Sequence, residues 1–192
     1  DIQAAIDSLT DNSTEIIFSP GKNYGCSGIV IGDSGGYAKA TSFKGIGAGG
    51  FYMASIVYTG TNGVLFDFSS SVDARITFEN LYLTSGRTAA ANTGTGIKSS
   101  AKSYGSRIYN CNIVGFNRGF EVVASGYFFY SVVRATQFRD YYEYGFFANS
   151  SAYINHALFT ACLFSDQSKP ANAGHGFYAS STGSGVNFKG CY

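Results

Sequence analysis

Charge is scarce in this chain: Asp, Glu, Lys and Arg make up 13% of its 192 residues and the formal net charge is +1. Binding to nucleic-acid phosphates or anionic lipid needs a clustered basic footprint, so neither partner is expected. No apolar run approaches the ~18 residues that a membrane helix requires, and no charged-then-apolar leader follows Asp1, so membrane insertion is not expected either. There are only two His and four Cys, and Cys26, Cys111, Cys162 and Cys191 lie far apart with no CxxC spacing. That pattern gives no support to a metal site, a nucleophilic triad or a dense disulfide framework, and the thiols are expected to be free. No cofactor is called for.

Pro occurs twice and Trp not at all, whereas Gly (25), Phe (17) and Tyr (15) are abundant. This is the composition of a turn-rich β protein. One domain over residues 1–192 is expected at this length. The chain starts without Met and stops at Tyr192 inside an apolar pattern, which reads as a piece of a longer chain.

Internal repetition is the strongest signal. Five blocks share an apolar residue, a small residue or Asn, often a Cys, and an apolar close: Phe78 to Leu83, Ile108 to Ile113, Val133 to Phe138, Phe159 to Phe164 and Phe188 to Tyr192. Their first residues differ by 30, 25, 26 and 29 positions. A second column pairs Gly with an apolar residue at Gly63-Val64, Gly96-Ile97, Gly119-Phe120, Gly145-Phe146 and Gly176-Phe177, where the Gly suits a sharply turning backbone. A near-constant core with variable loops is what a solenoid produces. About three strands of roughly 4–5 residues plus turns fill such a period. Leucine-rich repeats have a similar period, but their Leu-x-x-Leu-x-Leu frame is missing.

The expected fold is therefore all-β: a right-handed parallel β-helix, a single-stranded solenoid with coils over 14–192. Phe78, Ile108, Val133, Phe159 and Phe188 should form one buried ladder, and Leu83, Ile113, Phe138 and Phe164 another. Asn80 and Asn110 share a column that favours the left-handed conformation, continued by Ala135, Ala161 and Gly190. Cys111, Cys162 and Cys191 share the next column with Thr136. A redox pair at Cys162 and Cys191 is the functional reading there, but small side chains filling an interior row is the one adopted. Ile2, Ala5, Ile6 and Leu9 fall on one helical face with Asp1 placed to cap it, so residues 1–10 should form a short helix covering the open end. Ile16-Ile17-Phe18 reads as a strand ended by the Pro20-Gly21 turn, and Phe43 to Gly47 as a further coil.

The opening Asp1 to Leu9, then Ile17 to Tyr24, then Phe43-Lys-Gly-Ile-Gly47, with Ile76 to Leu83 later, resembles bacteriophage tailspikes and pectate-lyase-like β-helix proteins. The resemblance implies a homotrimeric phage tail protein on the virion, outside the cell, that binds and often cleaves a bacterial surface polysaccharide, capsule or O-antigen. The pectinase branch carries clusters of Asp or a calcium-binding carboxylate group on one strand face. No such cluster is found here, and no catalytic residue carries over by motif.

Candidate site residues come instead from position. Loops leaving one strand in successive coils lie side by side, and charge gathers just after the second apolar ladder: Arg118, then Arg139, Asp140 and Glu143, then Asp166, Lys169 and His175. Tyr141, Tyr142 and Tyr144 are interleaved and offer flat faces to sugar rings. Glycoside hydrolysis needs two carboxyl groups roughly 5–9.5 Å apart, which Asp140 or Glu143 with Asp166 would supply. Arg118, Arg139, His175 and the three Tyr would bind substrate, or serve a lyase, the less favoured scheme. Arg134 and Glu121 should point outward, toward solvent or a neighbouring chain, and His156 should be packed or at the surface.

Two motif matches are set aside. Gly45 to Gly50 fits GxGxxG but precedes no helix, and Asn12-Ser-Thr14 and Asn149-Ser-Ser151 are glycosylation acceptors only on a eukaryotic secretory route. A non-catalytic receptor-binding or structural tail module, and a secreted pectinase-like enzyme, remain the alternatives to a depolymerase.

Overall fold

The computed structural model describes residues 2–10, 14–34, 37–38, 40–46, 53–68, 74–88, 93–166, 174–180 and 182–192. Asp1, Asn12, the tail of the GxGxxG match and Lys169 lie outside the described residues.

Very short strands, most of three to five residues, turn at the same corners coil after coil and pair only with their counterparts above and below. The result is an all-β parallel solenoid. The first sheet stacks seven strands, from Thr14–Phe18 and Ala40–Gly45 through Thr77–Glu79, Arg107–Tyr109, Val132–Arg134 and Leu158–Thr160 to Asn187–Lys189. The second stacks six, from Asn23–Cys26 to Leu163–Ser165, and the third six, from Ile29–Val30 to His175–Ala179. A fourth sheet of four strands runs from Lys102–Tyr104 to Thr182–Ser184. Only Asp33–Ser34 with Tyr37–Ala38 pairs antiparallel among the described strands.

Both expected ladders are in register. Phe43, Phe78, Ile108, Val133, Phe159 and Phe188 stand opposite one another in the first sheet, and Leu83, Ile113, Phe138 and Phe164 in the second. The rings stack at close to van der Waals spacing, with centroids 5.1 Å apart for Phe43–Phe78 and Phe138–Phe164 and 5.0 Å for Phe159–Phe188. Burying each such ring contributes about 2–3 kcal/mol. Burial lapses at the ends of both ladders: Phe164 is only partly buried, and Phe188 on the last rung is 47% exposed.

The Gly column needs a correction. Ile97 lies opposite Phe66, not Val64, so buried Leu65 occupies the level that Gly96, Gly119, Gly145 and Gly176 hold in later coils. Nor do those four glycines adopt the left-handed region. They are required because a Cβ on Gly96, Gly119 or Gly145 would fall 2.5–2.7 Å from the carbonyl oxygen of the next rung.

Left-handed residues turn the corner between the first and second sheets: Asn80, Asn110, Ala135, Ala161 and Gly190 all have φ between 49° and 56°. The Asn110 amide donates to Asn80 Oδ1 at 2.8 Å, so the Asn ladder is two residues long. Cys111, Thr136 and Cys162 fill the adjoining interior row as free thiols and a hydroxyl.

The helix is Ile2–Asp7, with Ile6 fully buried and Ile2 and Leu9 packed against the core, whereas Ala5 is exposed. It also closes a sheet edge. The Gln3 side chain accepts a hydrogen bond from the Val30 N–H at 2.8 Å and donates to the Val30 carbonyl at 3.0 Å, occupying the free edge of the third sheet's first strand. No helix among the described residues is long and apolar enough to cross a membrane.

Candidate functional site

Strand alternation on the second sheet sends Ile56, Leu83, Ile113 and Phe138 inward and the residues beside them outward. Register aligns one outward row: Asn23, Ser55, Tyr82, Asn112 and Gln137 stand on five successive rungs. At about 4.8 Å per rung the row extends about 19 Å along the axis. It lies in a groove of about 690 Å³ whose other lining includes Met53, Asn110, Ala135 and Arg139. Neutral amides and hydroxyls predominate, and Arg139 is the one charged residue among those lining it. A second hollow of about 420 Å³ shares Tyr82 with the first and is lined by Thr84, Arg87, Thr88 and Asp140.

The positional candidates divide around this groove. Arg139 and Asp140 border the two hollows. Arg139 pairs with Ser165 across the sheet and the Asp140 N–H donates to the Ser165 carbonyl at 2.8 Å, so Asp140 and Asp166 follow equivalent positions on consecutive rungs. Asp140 holds φ 50°, a conformation Asp tolerates. Asp166 Oδ2 accepts a hydrogen bond from the Gly174 N–H at 3.4 Å.

Other candidates are engaged elsewhere. Arg118, expected to bind substrate, lies on the third sheet between two carboxylates: it pairs with Glu121, and with Glu143 at 2.8 Å. Burial opposes its charge, but the two carboxylates outweigh that and hold its pKa above the ordinary value. Its guanidinium also covers the Phe147 ring at 4.7 Å from the centroid. Glu143 is thereby committed to an ion pair. Glu121 stands on the outer face but is only 6% exposed, being covered by its own chain instead of facing solvent or a neighbouring one. Arg134 and His156 are exposed, the latter stacked on Tyr130.

Tyr141 is not a platform for a sugar: it is 4% exposed and belongs to the core, where burial, and then the charge of Asp166, push its hydroxyl up to about 12. Tyr142 is half-buried, with its N–H on the Phe116 carbonyl. Tyr144 is half-buried against Phe147, Tyr178 and the exposed His175, on the third sheet with Arg118. The expected loop cluster is therefore two clusters on different faces.

The row Asn23, Ser55, Tyr82, Asn112 and Gln137 was not singled out from sequence. The signal was available: Tyr82, Asn112 and Gln137 each sit just before the closing apolar residue of a repeat block, a position that alternation turns outward. Among the described residues no three His, Cys, Asp or Glu side chains gather where a metal ion would be held. Comparison of the chain with protein-family models, curated proteins and solved structures returns no match.

Proposed function

We propose that this chain is a phage tailspike segment that binds a bacterial surface polysaccharide along the second sheet. The observation that carries the reading is the unbroken row of hydroxyl and amide side chains in one groove, running with the solenoid axis. A linear glycan presents hydroxyls at regular intervals, and its partner needs donors and acceptors repeated along a line. In-register rungs supply that repeat without any loop having to fold over the ligand. The flank of Tyr82 adds an aromatic face between the two hollows. The tailspike resemblance supports the source of the glycan, capsule or O-antigen, and a homotrimeric, virion-borne protein.

Cleavage is the second reading, favoured by one observation: Asp140 lines the hollow beside the groove and Asp166 follows on the next rung, about 4.8 Å along the axis, a rung spacing compatible with paired carboxyl groups. Glu143 has no part in it.

Binding is tested by presenting purified capsular and O-antigen polysaccharides to the protein and to the Asn112→Ala/Gln137→Ala variant. Retention of at least one polysaccharide, lost in the variant, supports the reading; retention unaffected by the variant moves the site elsewhere. Cleavage is read from the size distribution of a bound polysaccharide after incubation. Shortening that Asp140→Asn abolishes supports an enzyme, and an unchanged distribution leaves a binding module.

A further inference from the structure

Arg139 is the one cation among the residues that line the groove. Lys44 is paired with Glu15 at 2.6 Å, and Arg118 is paired with two glutamates. Arg107, Arg134 and Lys102 are exposed, where water satisfies them. Arg139 is half-buried, lines the groove, and has no ion pair or side-chain hydrogen bond among the described residues. A partly desolvated guanidinium with nothing to neutralise it is costly unless an anion completes it.

Its surroundings make the same point. The neighbouring outward residues on its column are Val114 and Ser165, and Gln137 lies beside it on its own strand. None of these carries a charge, and Gln137 adds a neutral amide next to it. Resting on the glycan reading above, we infer that the groove selects an acidic polysaccharide, and that Arg139 is the specificity-determining residue. It would take an anionic oxygen pair of one sugar unit, bidentate, while the row from Gln137 toward Asn23 takes the hydroxyls of neighbouring units. A uronate-type carboxylate and a phosphate substituent share this chemistry.

The test uses an array of purified bacterial capsular and O-antigen polysaccharides, each acidic one presented in native and in carboxyl-reduced form. The protein should hold native acidic chains at least about tenfold more tightly than their reduced counterparts, the scale of one charge-assisted pair. Arg139→Gln should erase that preference, and Arg139→Lys should restore part of it, with melting temperatures unchanged. In parallel, the Arg139 Nε resonance is followed while glucuronate, glucose 6-phosphate or glucose is added. A shift with glucuronate alone assigns the carboxylate, a shift with glucose 6-phosphate alone assigns phosphate, and shifts with both assign a general anion site. Equal binding of native and reduced chains, with no shift from either anion, overturns the role of Arg139 while leaving glycan binding intact. Binding to no polysaccharide on the array removes the glycan reading and this inference with it.

Discussion

Gly119→Ala is the most informative perturbation of the stack. A Cβ at Gly119 would meet the Gly145 carbonyl oxygen at 2.5 Å, Phe138 Cδ1 at 2.9 Å and Ile113 Cγ2 at 3.4 Å. The first contact is about 0.9 Å inside ordinary van der Waals distance, and the carbonyl belongs to the next rung of a paired sheet. Relief therefore requires either separating two rungs or displacing the Phe138 ring from its stack on Phe164. Overpacking of this kind costs about 3 kcal/mol, the upper part of the usual range, because neither neighbour is a flexible side-chain end. For a chain of this size that corresponds to a melting temperature lower by about 6–12 °C. Gly32→Ala is the matched control, since nothing lies within 4 Å of its added Cβ and its backbone is not left-handed; it should melt within about 2 °C of the parent. Both variants are compared by circular dichroism on heating. A Gly119→Ala variant as stable as Gly32→Ala would refute the claim that close rung spacing, not turn geometry, demands this glycine.

Arg118→Met should cost about 2–3 kcal/mol in urea denaturation, because it leaves nearly buried Glu121 without its cation, yet should leave polysaccharide retention unchanged. Ala135→Asn should raise the melting temperature by about 2–3 °C, since Asn tolerates the left-handed turn at φ 49° better than Ala and would extend the Asn80–Asn110 ladder. Alkaline pH should weaken the fold: burial pushes Cys111 and Tyr141 up to about 12 and Cys162 up to about 11. These groups ionise more readily unfolded, so the native state holds more protons at high pH. Stability should be level below about pH 9 and fall from there toward pH 11–12, with a shallower fall in Cys111→Ala, read from urea midpoints at stepped pH.

How much was visible before the structure depended on whether a position repeats a residue type or only a direction. Phe78, Ile108, Val133 and Phe159 are all large and apolar because the interior accepts nothing else there, so their column announces itself. Asn80 and Asn110 repeat at a left-handed corner that Asn tolerates well, although Ala135 and Ala161 hold the same corner without an amide. The groove row is different: Asn23, Ser55, Tyr82, Asn112 and Gln137 share an outward direction but no common shape, so only register collects them. Tyr141 was misread for a related reason. Alternation holds along Gln137–Arg139 but breaks at the turn through Asp140, and the chain re-enters with Tyr141 facing the core. Leu65 shows the same limit in the Gly column, where matching letters placed Gly63 two residues away from the level that the backbone pairing assigns.

The most direct test of the account is a crystal structure of the protein with a bound oligosaccharide taken from a polysaccharide it retains. Sugar units should lie along the second sheet, with hydroxyls within 3.5 Å of Asn112 and Gln137 and an anionic group on Arg139. Density on the third or fourth sheet, with the Asn23 to Gln137 row left in water, would contradict it.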